Sequence, residues 1–192
     1  MCKLCNIKPV YEFTNKRKLC KRCFINYFQK KVLYTIRKFK MIRRGDKVQY
    51  KKTREFKGVV LDDILKFVLD KFDFYLTDSN KFLAKRDKFK SVRIASASSL
   101  DSEAENIIKI LINGNVSELK KNLPSYENAV KPLCLFLDEE ILLYAKLKNL
   151  KFRKAQEKKD KIRNFEDEFE KKHPEVKRAI VNSVLELYSQ EK

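Results

Sequence analysis

Four of the five cysteines stand at Cys2, Cys5, Cys20 and Cys23, two C-x2-C pairs separated by fourteen residues. Two short pairs at this separation can converge on one tetrahedral S4 site. Zn2+ suits such a site because thiolates are soft, charged ligands and the ion has no electronic preference against tetrahedral geometry. The spacing lies just under the usual range for paired C-x2-C zinc sites and within zinc-ribbon variation. The expected role is structural, a ribbon that folds on metal and mounts the basic helix next to it. An iron–sulfur cluster is also open to four thiolates. Disulfides would need an oxidising compartment, and the first residues show no apolar signal-peptide stretch. A redox C-x-x-C belongs beside a βαβ pattern, which these pairs lack. The fifth cysteine, Cys134, lies in the apolar run Leu133-Cys134-Leu135-Phe136-Leu137 and reads as a buried strand residue.

Charge is the second signal. The formal charge is +19 over 192 residues. Residues 1–60 hold 19 Lys and Arg against three carboxylates, Glu12, Asp46 and Glu55, while the rest of the chain holds 26 against 23. So local an excess calls for an anionic partner. Nucleic acid leads, because cations that neutralise phosphates release condensed counterions. The candidate contacts are Lys30, Lys31, Arg37, Lys38, Lys40, Arg43 and Arg44. A membrane surface is disfavoured because no Trp/Leu-rich stripe accompanies the cations, and no run approaches 18 apolar residues. The plain alternative is a solvated basic face with no partner.

Periodicity supplies the elements that position these groups. Val10-Tyr11-Glu12-Phe13-Thr14 alternates like a strand and Asn15-Lys16 is turn-like, so a β-ribbon is expected between the cysteine pairs. Phe24, Ile25, Phe28, Val32, Ile36 and Phe39 recur at helical spacing up to about Ile42, with the cations opposite. Tyr27 and Tyr34 lie near that basic face, where they either stack on an unpaired base or pack against the ribbon. Gly45-Asp46 ends the helix. Lys47–Tyr50, 56–60, 72–77, Val92–Ala97 and 132–137 read as strands, and 61–72 as an amphipathic helix. Ser98-Ser99-Leu100-Asp101 opens a helix with capping-box spacing that runs to Ile112 and stops at Asn113-Gly114. A short helix over 116–122 halts before Pro124, Asp138 caps a helix to Leu147, and two helices at 155–171 and 175–189 divide at Pro174. Alternating strands and helices imply an α/β core. The expected division is 1–44 (ribbon and basic helix), 45–150 (α/β core) and 151–192 (C-terminal helices).

These residues carry a resemblance. Cys2-x2-Cys5…Cys20-x2-Cys23-Phe24-Ile25, then Lys30-Lys31-Val32, Thr35-Ile36-Arg37-Lys38 and Arg43-Arg44-Gly45-Asp46-Lys47-Val48, resemble the opening of the tRNA 2-thiolation ATPases. Leu100-Asp101-Ser102-Glu103-Ala104-Glu105, Asn113-Gly114-Asn115-Val116, Lys131-Pro132-Leu133, Glu139-Glu140-Ile141-x2-Tyr144-Ala145 and Arg163-x-Phe165…Glu168-x5-Pro174 follow in that family's order. The resemblance implies a zinc-ribbon and basic-helix module that handles tRNA, on a Rossmann-like PP-loop domain that installs sulfur at C2 of the wobble uridine, U34.

Departures from the family pattern set the functional expectation. Active members have Ser-Gly-Gly-x-Asp-Ser after the Gly-Asp-Lys-Val position, glycines that let backbone N–H groups approach ATP phosphates. Here the stretch is Gln49-Tyr50-Lys51-Lys52-Thr53-Arg54-Glu55-Phe56-Lys57-Gly58, and the chain's three glycines (Gly45, Gly58, Gly114) are too scattered to write any phosphate loop. Ala97-Ser98-Ser99 stands where the family has Gly-His-Asn. Asp101 and Glu103 remain, explicable as carboxylates at a helix N-terminus. The family's core cysteines for a catalytic cluster or sulfur transfer are missing, with Phe152-Arg153-Lys154-Ala155 at the third such position. The family's C-terminal cysteine-rich ribbon is missing too, and the region between the first core helix and Val92 is short, implying a reduced sheet. His173, the single histidine, reads as a surface residue.

The expectation is a non-catalytic, cytoplasmic subunit of a U34 2-thiolation complex, like that family's degenerate second subunit in shortened form. It would carry structural Zn2+, bind tRNA and an active PP-loop thiolase subunit as a heterodimer, and bind no ATP. The alternatives are a stand-alone zinc-ribbon RNA-binding protein with no thiolase partner, and a degenerate enzyme with a glycine-free nucleotide site.

Overall fold

The computed structural model describes residues 1–78, 89–153 and 168–189. The ribbon is a two-stranded antiparallel hairpin of β1 (Tyr11–Glu12) and β2 (Lys18–Leu19), turning at Lys16 with φ 64°. It leads into α1 (Lys21–Lys38), which buries Phe24, Phe28, Val32, Thr35 and Ile36 along one face. Arg37 and Lys38 in its last turn suit the negative end of the helix dipole. The helix closes with Lys40 at φ 49° and Met41 N–H donating to the Ile36 carbonyl (3.0 Å), the bonding that ends a helix in a left-handed residue.

A five-stranded sheet forms the centre, ordered β4 (Tyr75–Asp78), β3 (Lys47–Tyr50), β5 (Val92–Ala95), β7 (Ala129–Val130), β6 (Ser125–Tyr126). The first four run parallel and β6 closes the edge antiparallel. The turn before β3 is held by Asp46, whose buried carboxylate accepts from the Arg43 amide and the Ser91 hydroxyl, both at 2.8 Å. Helices α1, α2 (Phe56–Leu69) and α4 (Asp138–Leu147) pack together. Phe28 stacks between Phe136 (4.1 Å between centroids) and Tyr144 (4.2 Å). The Tyr144 hydroxyl donates to Asp63 (2.8 Å) and accepts from Gln29 (3.2 Å), which ties the three helices together. A second apolar cluster joins α3 (Leu100–Ile112), a 3-10 helix (Val116–Asn122) and α5 (Val176–Ser189).

Most of the expected elements form, and three differ. The strand expected at 56–60 is the first part of α2. Val60, Leu61, Ile64, Leu65 and Val68 make one buried helical face, and that shared burial outweighs the strand propensity of the valines. The strand expected at 132–137 is a series of turns. Cys134 and Phe136 N–H groups donate three residues back to Lys131 and Leu133 carbonyls (3.2 and 3.0 Å), so the run is buried without joining the sheet. Cys134 is buried as expected, but in a turn. Asp138 does not cap α4: Leu137 occupies the cap, and its N–H donates to the Glu140 carboxylate (2.9 Å). The helix expected at 155–171 lies mostly outside the described residues, with 168–172 helical.

Candidate functional site: a cysteine cluster on a basic helix

Two local turns bring the cysteines together. At the first, Cys2 N–H donates to the Ile7 carbonyl (2.8 Å) and Asn6 N–H returns to Cys2 (3.1 Å), with Asn6 left-handed at φ 56°. At the second, Cys20 caps α1 and Cys23 sits in its first turn, where the helix dipole favours thiolates. All four sulfurs lie within 4.8 Å of one another, with Cys5–Cys20 at 3.3 Å and Cys5–Cys23 at 3.6 Å. A tetrahedral S4 site with arms of about 2.3 Å has sulfur–sulfur edges of about 3.8 Å, so the donors fit a metal.

The acid–base behaviour agrees with that fit. Burial pushes the Cys2 thiol up, but hydrogen bonds from the backbone at Leu4 and Cys20 and from Cys5 bring it down to about 6. Burial and its three neighbouring thiols push Cys23 up to about 12. Without a cation inside, one thiolate forms readily, while burial and the neighbouring thiols keep the last one protonated. A bound cation removes that obstacle.

The ribbon is fastened to the core. Tyr11 packs edge-on against Phe24 (5.2 Å) and Phe13 (4.8 Å), and its hydroxyl donates to Glu139 on α4 (2.7 Å). Thr14 donates to Glu175 just before α5.

The expected nucleic-acid contacts divide into two groups. Lys30, Arg37, Lys38, Lys40, Arg43 and Arg44 are exposed, and Lys30, Arg37 and Lys38 share one stripe of α1 at helical spacing. Arg37 lies 5.4 Å from the Phe72 ring, and Arg44 pairs with Asp73 (3.0 Å). Lys31 stands apart. Its ammonium turns inward, donates to the Leu135 carbonyl (2.7 Å) and lies 4.4 Å from the Phe136 ring centroid. Burial lowers its pKa to about 8, with Glu140 opposing and Arg178 reinforcing the shift.

The loop between β3 and α2 lies beside the switch point of the sheet, since the chain leaves β3 for β4 on one side and returns to β5 on the other. In open α/β sheets, ligands bind at such a point, beyond the strand C-termini. Here the Thr53 hydroxyl packs against Gly58, where any Cβ would collide with it. Lys57 reaches across, donating to Ser99 (2.9 Å) and Ser102 (3.0 Å) and pairing with Asp138 (2.7 Å). The N-terminal ends of α2, α3 and α4 therefore meet around an ammonium that donates to two hydroxyls and faces a carboxylate.

Sequence reasoning missed this lysine, and it missed what holds Asp101 and Glu103. Asp101 accepts from the Asp138 N–H (2.7 Å) and from buried Lys177 (2.8 Å), and buried Glu103 pairs with Lys131 (2.7 Å). Each partner lies 28 or more residues away, beyond any local pattern.

The parallel sheet, its switch point and the appended ribbon define a Rossmann-like α/β fold carrying a cysteine cluster. The chain matches no protein-family profile and no curated protein sequence. Among solved structures it is similar to the U34-tRNA thiolase NcsA from Methanococcus maripaludis with its 4Fe–4S cluster. The likeness has a TM-score of 0.71 and covers 97% of this chain and 86% of that one at 18% identity, so it is a likeness of fold. No helix among the described residues is long and apolar enough to cross a membrane.

Proposed function

We propose that this chain is a non-catalytic, tRNA-binding subunit of a wobble-uridine 2-thiolation complex, paired in the cytoplasm with an active PP-loop thiolase. One observation carries the silent half of the reading. Where a phosphate loop would lie, the helix N-termini converge on Lys57, bound to Ser99, Ser102 and Asp138, and the loop before them has no glycine. An ATP phosphate there would have to compete with the Asp138 carboxylate for that ammonium and would face its negative charge. The binding half rests on the fold likeness to a tRNA thiolase and on the exposed cations of α1 and the turn after it. Lys30, Arg37, Lys38, Lys40, Arg43 and Arg44 are the proposed tRNA contacts. The cysteine cluster holds structural Zn2+, since its four thiols lie within 4.8 Å of one another, the size of a cage for a single ion.

Titration calorimetry with Mg-ATP tests the silent reading, and no heat of binding is the expected result. Measurable ATP affinity sinks it and favours the degenerate enzyme. Co-expression with the active thiolase of the same genome, followed by pull-down and mass spectrometry of tRNA, tests the partner. A complex with raised 2-thiouridine is expected, whereas free tRNA binding without a complex favours the stand-alone RNA-binding protein.

A further inference from the structure

Along α1, Asn26, Tyr27, Lys30 and Tyr34 recur at three- and four-residue spacing and share a face. Leu4 from the first cysteine turn and Arg17 from the hairpin stand opposite, and a groove of about 480 Å3 lies between. That volume falls within the range of small-ligand sites. Its walls come from the ribbon and the helix, which the cysteine cluster and the Tyr11–Phe24 and Phe13–Tyr27 contacts hold against each other.

Two features set its chemistry. Arg17 and Lys30 present their charge to it, Lys31 adds only its stem because its ammonium turns inward, and no carboxylate lines it. Its flat apolar surface is also open, with Tyr34 61% exposed and Leu4 62%. Tyr27, by contrast, is already packed edge-on against Phe13 (5.0 Å) and forms a floor. The Arg17 guanidinium lies 5.4 Å from the Tyr27 ring centroid and 5.6 Å from that of Phe13, which positions it at the rim. An open aromatic ring and flanking cations match the needs of an unpaired base with its phosphates. An acidic peptide would answer the cations but offer the ring no stacking partner.

We propose that this groove takes an unstacked base of single-stranded RNA against the Tyr34 ring, with Lys30, one turn away, and Arg17 on the flanking phosphates. The inference rests on the tRNA-binding reading above and sharpens it, since it assigns the ribbon–helix junction to an unpaired stretch of RNA and leaves duplex phosphates to the rest of the basic face.

Fluorescence anisotropy tests it, with a short labelled oligouridylate and an RNA duplex of equal length as probes and the full-length chain loaded with zinc. Tyr34→Ala is expected to weaken oligouridylate binding about 5- to 100-fold, while Tyr34→Phe stays within about twofold. Duplex affinity is expected to stay level in both variants, and Lys30→Ala should lower the log–log salt slope for the oligouridylate by about 0.7. Unchanged oligouridylate affinity in Tyr34→Ala overturns the proposal, as does an equal loss for the duplex. A glutamate-rich peptide that displaces the RNA and needs Tyr34 overturns it in favour of a protein partner. If the wild type binds tRNA with the usual salt dependence but ignores Tyr34, only the groove fails. If it binds no RNA, the tRNA-binding reading fails with it. Circular dichroism and zinc content check that each variant is folded.

Discussion

Lys31→Met separates the buried lysine from the exposed basic face. In the folded chain the Lys31 ammonium donates to Leu135 (2.7 Å) and lies over Phe136. A hydrogen bond to a charged donor contributes about 1.5–3 kcal/mol, and the ring adds about 1 kcal/mol. Against this stands desolvation, which dominates the fall in pKa from 10.5 to about 8. At about 1.4 kcal/mol per pH unit, that fall corresponds to at most about 3.5 kcal/mol. The lowered pKa is the net of these terms, so at pH 7 the charge is held at a cost. The Met variant is therefore expected to be at least as stable as wild type there, by up to about 3.5 kcal/mol. The Leu135 carbonyl also keeps Arg178 as a donor (3.4 Å). The sign follows from linkage. The unfolded lysine keeps its proton up to about 10.5, and the folded one releases it from about 8. The penalty is therefore full below pH 8 and gone above 10.5, so wild type gains stability over Lys31→Met across that window. Urea unfolding followed by circular dichroism at pH 7, 8, 9 and 10 measures the difference, since the chain has no Trp to report fluorescence. A salt series with tRNA supplies the second readout, and its slope is expected to stay at the wild-type value. A stability difference that is flat with pH, or a slope that falls as it does for Lys30, would refute the reasoning.

Two further outcomes rest on the same geometry. Replacing Lys30, Arg37 and Lys38 together with Ala should lower the log–log salt slope of tRNA binding by about 0.7–0.9 for each lost phosphate contact, and an unchanged slope would remove that stripe from the interface. Metal analysis should return about one zinc per chain, and Cys20→Ser or a strong chelator should release it and open residues 1–20 to protease. A brown protein containing sulfide would replace zinc with a cluster.

Much of the fold was legible because its signals are local. Cys2, Cys5, Cys20 and Cys23 announce a shared site by spacing alone, and the apolar period from Phe24 to Ile36 announces α1. Ser99 marks the start of α3, with its side chain accepting from the Ser102 amide (3.3 Å) as the capping pattern implies. Where reading failed, burial from distant segments outweighed local preference. The valines before Leu61 joined a helix because α4 and the sheet bury one continuous face of it. Residues 132–137 became turns because Leu133, Cys134 and Phe136 fill the core from a loop and satisfy their backbone groups locally.

The sequence by itself determined the cysteine cage, the concentration of positive charge near it and the lack of a glycine phosphate loop, since residue type and short spacing decide all three. Only the tertiary structure decided which cations face solvent, that Lys31 turns to Leu135 while Lys30 stays outside, and that Tyr34 remains open while Tyr27 is packed. It alone placed Lys57 at the meeting of three helix N-termini, and Leu4 and Arg17 opposite α1. These depend on groups far apart in the chain meeting in one desolvated place, where the surroundings, and no longer the residue type, set charge, exposure and hydrogen bonding.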